Sequence, residues 1–118
     1  MILTEVAFIL GAEVLCCADK LEQTVSLACA SDMMSDVLAY AKDNYLLLTG
    51  LMNQQVIRTA EMMDIECVCF VRDKTPDPSI IELATEKGIV VMRTPCLMYE
   101  ASGRLYSSGL RGKGGQDG

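Results

Sequence analysis

Apolar residues along this chain follow two rhythms. Tyr45–Thr49 and Cys67–Val71 are short, nearly unbroken apolar runs. Between them, Asn53–Met63 mixes apolar and polar residues at the spacing of one helix face. Unbroken runs suit strands buried on both faces, as in a parallel sheet, and a parallel pair needs a crossover that a helix over Asn53–Met63 can supply. The pattern predicts a strand–turn–helix–strand unit here, with the rest of the sheet laid beside it.

The remaining chain reads around that unit. Thr4 can cap a short helix over Glu5–Leu10, with Val6, Ile9 and Leu10 on one side and Gly11 as its stop. Glu13–Cys17 and Thr24–Cys29 read as strands, and the short polar loop Ala18–Glu22 between them predicts antiparallel neighbours. Ser31 or Asp32 caps a second helix whose stripe is Met33, Met34, Val37, Leu38 and Ala41, and Asp43-Asn44 ends it. Asp77 followed by Pro78 starts a helix and Lys87-Gly88 stops it, with Ile80, Ile81 and Ala84 as the buried face. Ile89–Met92 is a last strand. Thr94-Pro95 repeats the cap-then-proline device for a final helix reaching about Ser108, on which Glu100 and Arg104 lie one turn apart. Gly109 ends it. The expected architecture is one α/β domain over residues 1–110, a mostly parallel sheet of about five strands with helices on both faces. Residues 111–118, RGKGGQDG, read as a flexible tail.

Composition narrows the function. With 118 residues, 51% of them hydrophobic, and a single-figure aromatic content, the core must be built from aliphatic, Met and Cys side chains. A formal charge of -6 repels phosphate backbones and anionic membranes, so neither nucleic acid nor a membrane is an expected partner. No stretch approaches the roughly 20 apolar residues of a membrane span. The opening MILTEVAF carries an acid where a secretory signal carries Lys or Arg, so a cytoplasmic protein is the expectation.

Open parallel sheets bind ligands beyond the carboxyl ends of their strands. Four such ends can be named: Ser31-Asp32, Thr49-Gly50 with Asn53, Arg72-Asp73, and Arg93-Thr94. Free N–H groups there and two arginines could hold a phosphate. The plainer alternative is that Asp32, Asn53, Asp77 and Thr94 are only helix caps. No glycine-rich phosphate loop follows any strand. The chain has no His, which removes the usual general base near neutral pH. Ser31 beside Asp32 could be drawn as nucleophile and base, and Asp32 with Asp36 as a cation site, but two carboxylates are too few ligands for Mg²⁺. Of the six cysteines, Cys29, Cys67 and Cys69 fall inside apolar runs, and neither Cys16-Cys17 nor Cys67/Cys69 has the spacing of a zinc or redox motif. No metal and no cofactor are expected. Among the eight methionines, the doublets Met33-Met34 and Met62-Met63 each leave one thioether pointing sideways, as core filling or as a contact surface.

The order of elements, with ASDMMSDVLAYAKDNYLLLTG, VIRTAEMMDIECVCFV, PDPSIIELATEKGIVV and the closing TP…EASGRLY, resembles the DRTGG domain family over about residues 1–110. The likeness is to short stand-alone members often encoded beside iron-only hydrogenase genes. It implies a fold similar to the N-terminal domain of HPr kinase, a homodimer, and a regulatory or interaction role without catalysis. A redox-enzyme partner such as a hydrogenase is implied in the same way. The family's name-giving Asp-Arg falls on Met52-Asn53, and its Thr-Gly-Gly on Val71-Arg72-Asp73, so all five positions differ. The expectation is therefore a non-catalytic regulatory or protein-interaction module. The alternative is a sensor of an adenine nucleotide or other phosphorylated metabolite, bound at Ser31, Asp32, Thr49, Gly50, Asn53, Arg72, Asp73 and Thr94.

Overall fold

A computed structural model of the chain describes residues 1–41 and 44–112. In order, the elements are α1 (Leu3–Leu10), β1 (Glu13–Cys16), a 3-10 turn at Ala18–Lys20, β2 (Leu27–Ala30), α2 (Met34–Tyr40), β3 (Tyr45–Thr49), α3 (Gln54–Met62), β4 (Cys67–Phe70), α4 (Pro78–Lys87), β5 (Val90–Arg93) and α5 (Met98–Ser107). The five strands form one sheet in the order β1-β5-β4-β3-β2, parallel from β2 through β5, with β1 antiparallel on β5. This is the mostly parallel α/β sheet that the apolar runs predict.

Period-two alternation divides the central strands between two cores. Leu46 and Leu48 of β3, Cys67 and Cys69 of β4, and Val90 and Met92 of β5 meet Leu3, Val6 and Leu10 of α1 and Ala101 and Leu105 of α5. Leu47, Val68, Phe70 and Val91 face the other way, against Val37 of α2, Val56, Ile57 and Ala60 of α3, and Ile80 and Ala84 of α4. Because each crossover steps to the next strand in the same direction with the same hand, α2, α3 and α4 fall in one layer. The opposite face is left to α1 and α5. Each fully buried aliphatic side chain contributes about 1.5–3 kcal/mol, so these two layers hold the strand ends in place.

The predicted β1–β2 pairing does not form; the two strands lie on opposite edges of the sheet. The connection between them is longer than the polar loop alone. It runs beside α1, where Leu3 N–H donates to Gln23 O (2.9 Å), Thr4 N–H to Leu21 O (3.1 Å) and Val25 N–H to Met1 O (2.8 Å). Those bonds carry the chain across the sheet, and β2 starts at Leu27 instead of Thr24.

Several expected caps are also corrected. Thr4 lies inside α1 and its hydroxyl donates to Leu21 O at 3.2 Å; the cap position is Ile2. Neither Ser31 nor Asp32 caps α2, which starts from Met33. Asn53 occupies the cap position of α3 without a side-chain cap bond. Thr94-Pro95 does not start α5, which begins three residues later from Leu97. In α2, Met33 and Leu38 are exposed, so its buried stripe is narrower than expected. The Asp77-Pro78 start is present: Asp77 Oδ1 accepts from Ser79 N–H at 2.9 Å, and Gly88 stops α4 at φ 71°. Glu100 and Arg104 pair at 2.8 Å. Asp43 and residues 113–118 of the expected tail lie outside the described residues. Arg111 and Gly112 are described, and Arg111 O accepts from Ala28 N–H on the outer edge of β2 at 2.9 Å. Among the described residues, no helix is long and apolar enough to cross a membrane.

Candidate functional site

Parallel strands ending in step bring Ala30, Thr49 and Phe70 to one end of the sheet. The loops that leave there place Asp32, Thr49, Gly50 and Arg72 together. Asp32 Oδ1 accepts from Gly50 N–H at 2.7 Å and from the Thr49 hydroxyl at 3.2 Å. Thr49 Oγ1 in turn accepts from Leu51 N–H at 3.2 Å, which leaves the buried hydroxyl fully used. Arg72 closes the cluster from the next strand, Nη2 donating to Gly50 O at 3.2 Å. A Cβ at position 50 would collide with the Arg72 guanidinium, so only glycine there lets the arginine keep this place. Both backbone groups of Gly50 thus have side-chain partners.

This arrangement bears directly on phosphate binding. The N–H that a phosphate oxygen would take is already held by a carboxylate, and that carboxylate's charge repels an anion. Ser31 and Asp32 do not act together. Ser31 Oγ accepts from Met33 N–H at 3.0 Å and donates to Met33 O, while Asp32 turns toward Thr49 and Gly50. Ser31 and Asp32 form no pair, so Asp32 is not placed to draw a proton from Ser31. Asn53 is exposed and outside this hydrogen-bonded cluster.

Arg72 and Asp73 reach the site by an unusual backbone. Both are left-handed, at φ 69° and φ 55°. Their N–H groups donate to Cys96 O and Thr94 O, each at 2.8 Å, which fixes the turn against the segment after β5. These are the two positions on which the resemblance lays a Gly-Gly pair, and glycine adopts such angles without the Cβ penalty. Asp73 is otherwise exposed, its Oδ1 3.9 Å from Arg93 Nε.

Thr94 faces away from the crevice. It is fully buried, its hydroxyl donating to Leu10 O at 2.7 Å and accepting from Cys96 N–H at 3.2 Å. Arg93, the second arginine of the strand ends, is spent on Glu13 Oε2 at 2.5 Å and on the Thr75 hydroxyl. Of the eight expected site residues, the fold therefore gathers Asp32, Thr49, Gly50 and Arg72. Ser31 and Asp73 lie at its margin, and Asn53 and Thr94 stand apart.

The cysteines divide by strand face. Burial pushes the Cys67 thiol well up and the Cys69 thiol to about 12, with neighbouring thiols adding to each, so neither is a thiolate near neutral pH. Burial, and then Asp36, also raise Cys29. Cys16 Sγ donates to Ile89 O at 3.3 Å. Among the described residues, no three His, Cys, Asp or Glu side chains gather where they could hold a metal ion.

A second surface lies on the α1/α5 layer. Phe8 is 89% exposed and Tyr99 93%, with Leu97 and Tyr106 also open to solvent. The periodicity of α5 carried the signal: Tyr99, Gly103 and Tyr106 recur at helical spacing opposite Ala101 and Leu105.

Comparison with known proteins places the chain. The family model described as DRTGG domain matches residues 5–108. Among solved structures, the chain is similar to the crystal structure of the CBS and DRTGG domains of the regulatory region of Clostridium perfringens pyrophosphatase, complexed with the activator diadenosine tetraphosphate. The TM-score is 0.68 at 18% identity, over 90% of this chain and 46% of that one. The chain thus spans about half the length of that structure, and the likeness is one of fold. No curated protein matches the chain.

Proposed function

The chain belongs to the DRTGG domain family, and from that premise we propose that it is a regulatory, protein-binding module that works as a homodimer and not by catalysis. The observation that carries this reading is the exposure of large aromatic side chains, Phe8 and Tyr99, on one helical layer of an acidic domain. Large apolar groups left in water favour association when a complementary surface is offered. The strand-end crevice supports the same reading, since both backbone groups of Gly50 are already held there by Asp32 and Arg72. Sedimentation velocity over a hundredfold concentration range upward from about 1 µM tests it. A concentration-dependent dimer is expected, and a monomer throughout that range refutes it. The hydrogenase link implied by the resemblance is tested by pull-down with purified hydrogenase subunits.

The pyrophosphatase region of the same fold is complexed with diadenosine tetraphosphate, and this favours a second reading, an adenine-nucleotide sensor. Its site here would be Arg72 with Gly50, opened by displacing Asp32 from the Gly50 N–H. A binder stabilises by RT ln(1+[L]/Kd), so a thermal-shift series with adenine nucleotides decides it. Flat melting temperatures at millimolar nucleotide remove this reading.

A further inference from the structure

Resting on the homodimer reading above, we infer that the second copy docks on the outer face of α5, the two α5 helices lying antiparallel about a twofold axis beside Gly103. The outer face of α5 carries an open groove of 880 Å³, to which α1 contributes Ile9. Its floor is Gly103, where a Cβ would meet nothing within 4 Å, so another helix can approach the backbone closely. With Ala101 and Leu105 turned to the core, the helical repeat of about 3.6 residues per turn puts Tyr99 and Tyr106 on one flank of Gly103 and Glu100 with Arg104 on the other. The Tyr106 ring is held from one side by the Arg111 guanidinium, 3.9 Å from its centroid.

The arrangement of the flanks selects both the occupant and its direction. A twofold contact presents the same patch from each copy, so the patch must complement itself. For antiparallel helices the axis lies in the interface and sets each flank against the same flank of the other copy. Tyrosines then meet tyrosines, and Glu100 of one copy faces Arg104 of the other, twice. A parallel pair would instead set the tyrosine flank against the charged flank, leaving Glu100 and Arg104 no partner on the other copy beyond their own pair. Glu100 and Arg104 bond each other within the helix at 2.8 Å, but with side chains 57% and 48% exposed each can exchange that surface pair for its counterpart on the other copy.

Charge reversal tests the proposal. Glu100→Arg and Arg104→Glu should each weaken the dimer by about tenfold or more, because each sets like charges opposite one another on both sides of the axis. Mixed in equal amounts, the two variants should associate again, since the wholly cationic flank of one then faces the wholly anionic flank of the other. Far-UV circular dichroism should match the parent, as both sites are exposed. If the parent dimerises and both variants dimerise equally well, the docking face lies elsewhere while the homodimer stands. If the variants are weakened but fail to associate on mixing, the antiparallel arrangement is wrong. A parent that stays monomeric overturns this inference and the homodimer reading together.

Discussion

At Asp73 the backbone holds φ 55° directly after Arg72 at φ 69°, and a glycine there should relieve strain that the fold currently imposes. A left-handed residue with a Cβ costs about 1–2 kcal/mol, toward the lower end for Asp, whose short polar side chain tolerates the region. The side chain itself contributes little. It is 67% exposed and its carboxylate is 3.9 Å from Arg93 Nε, a contact worth about 0.2–0.5 kcal/mol after solvent screening. Glycine also enlarges the unfolded ensemble, by about 0.4–1 kcal/mol. Asp73→Ala removes the same carboxylate but keeps the strain, so the informative quantity is the gap between the two variants. Asp73→Gly should be more stable than Asp73→Ala by about 1 kcal/mol, or about 3–6 °C in Tm. Lys74 is the control: it is exposed and has no positive φ, so Lys74→Gly should be less stable than Lys74→Ala by about 0.4–1 kcal/mol. Urea denaturation at constant slope measures all four. An Asp73→Gly protein no more stable than Asp73→Ala would refute the strained-turn account.

Three further outcomes follow from other parts of the molecule. Thr94→Val should cost about 1–3 kcal/mol in urea unfolding, because it removes the donor to Leu10 O and the acceptor of Cys96 N–H within the core; a change within experimental error would show those groups find other partners. Asp77 is held below the usual aspartate range, first by the Ser79 backbone N–H; a depressed folded value adds stability above the unfolded pKa that is lost as pH falls through the folded one, so Asp77→Asn should flatten the acid limb of a stability profile between about pH 5 and pH 2. Equal slopes for parent and variant would contradict this. In native protein at pH 8, a thiol reagent followed by peptide mass spectrometry should leave Cys67 and Cys69 unmodified until denaturant is added, and rapid labelling of either would overturn the structural reading of these thiols.

The candidate site was only partly legible beforehand. That Ser31, Asp32, Thr49, Gly50 and Arg72 would sit at one end of the sheet follows from strand ends in a parallel α/β pattern. Their bonding does not. Asp32 and Thr94 have the residue types of helix caps, yet a carboxylate beside a free N–H from the neighbouring strand, or a hydroxyl beside Leu10 O, binds whichever partner the packing supplies. The left-handed pair Arg72-Asp73 gave no signal in its own residue types, because the angles are imposed by bonds to Cys96 O and Thr94 O. Asp77 was readable because its bond to Ser79 N–H spans two residues and needs nothing distant.

Local composition alone determined the unbroken apolar runs, the α/β alternation, the Asp77-Pro78 start and Gly88 stop, and the Glu100–Arg104 pair, each of which depends on neighbours along the chain. Tertiary structure decided which strands stand at the edges, since any short apolar strand satisfies its hydrogen bonds against any other, and the contacts of α1 with residues 21–25 settled that β1 joins β5. It also decided which side chains were left outside both cores. Tyr99 and Phe8 are exposed because α1 and α5 share one face of the sheet and turn their opposite sides to solvent.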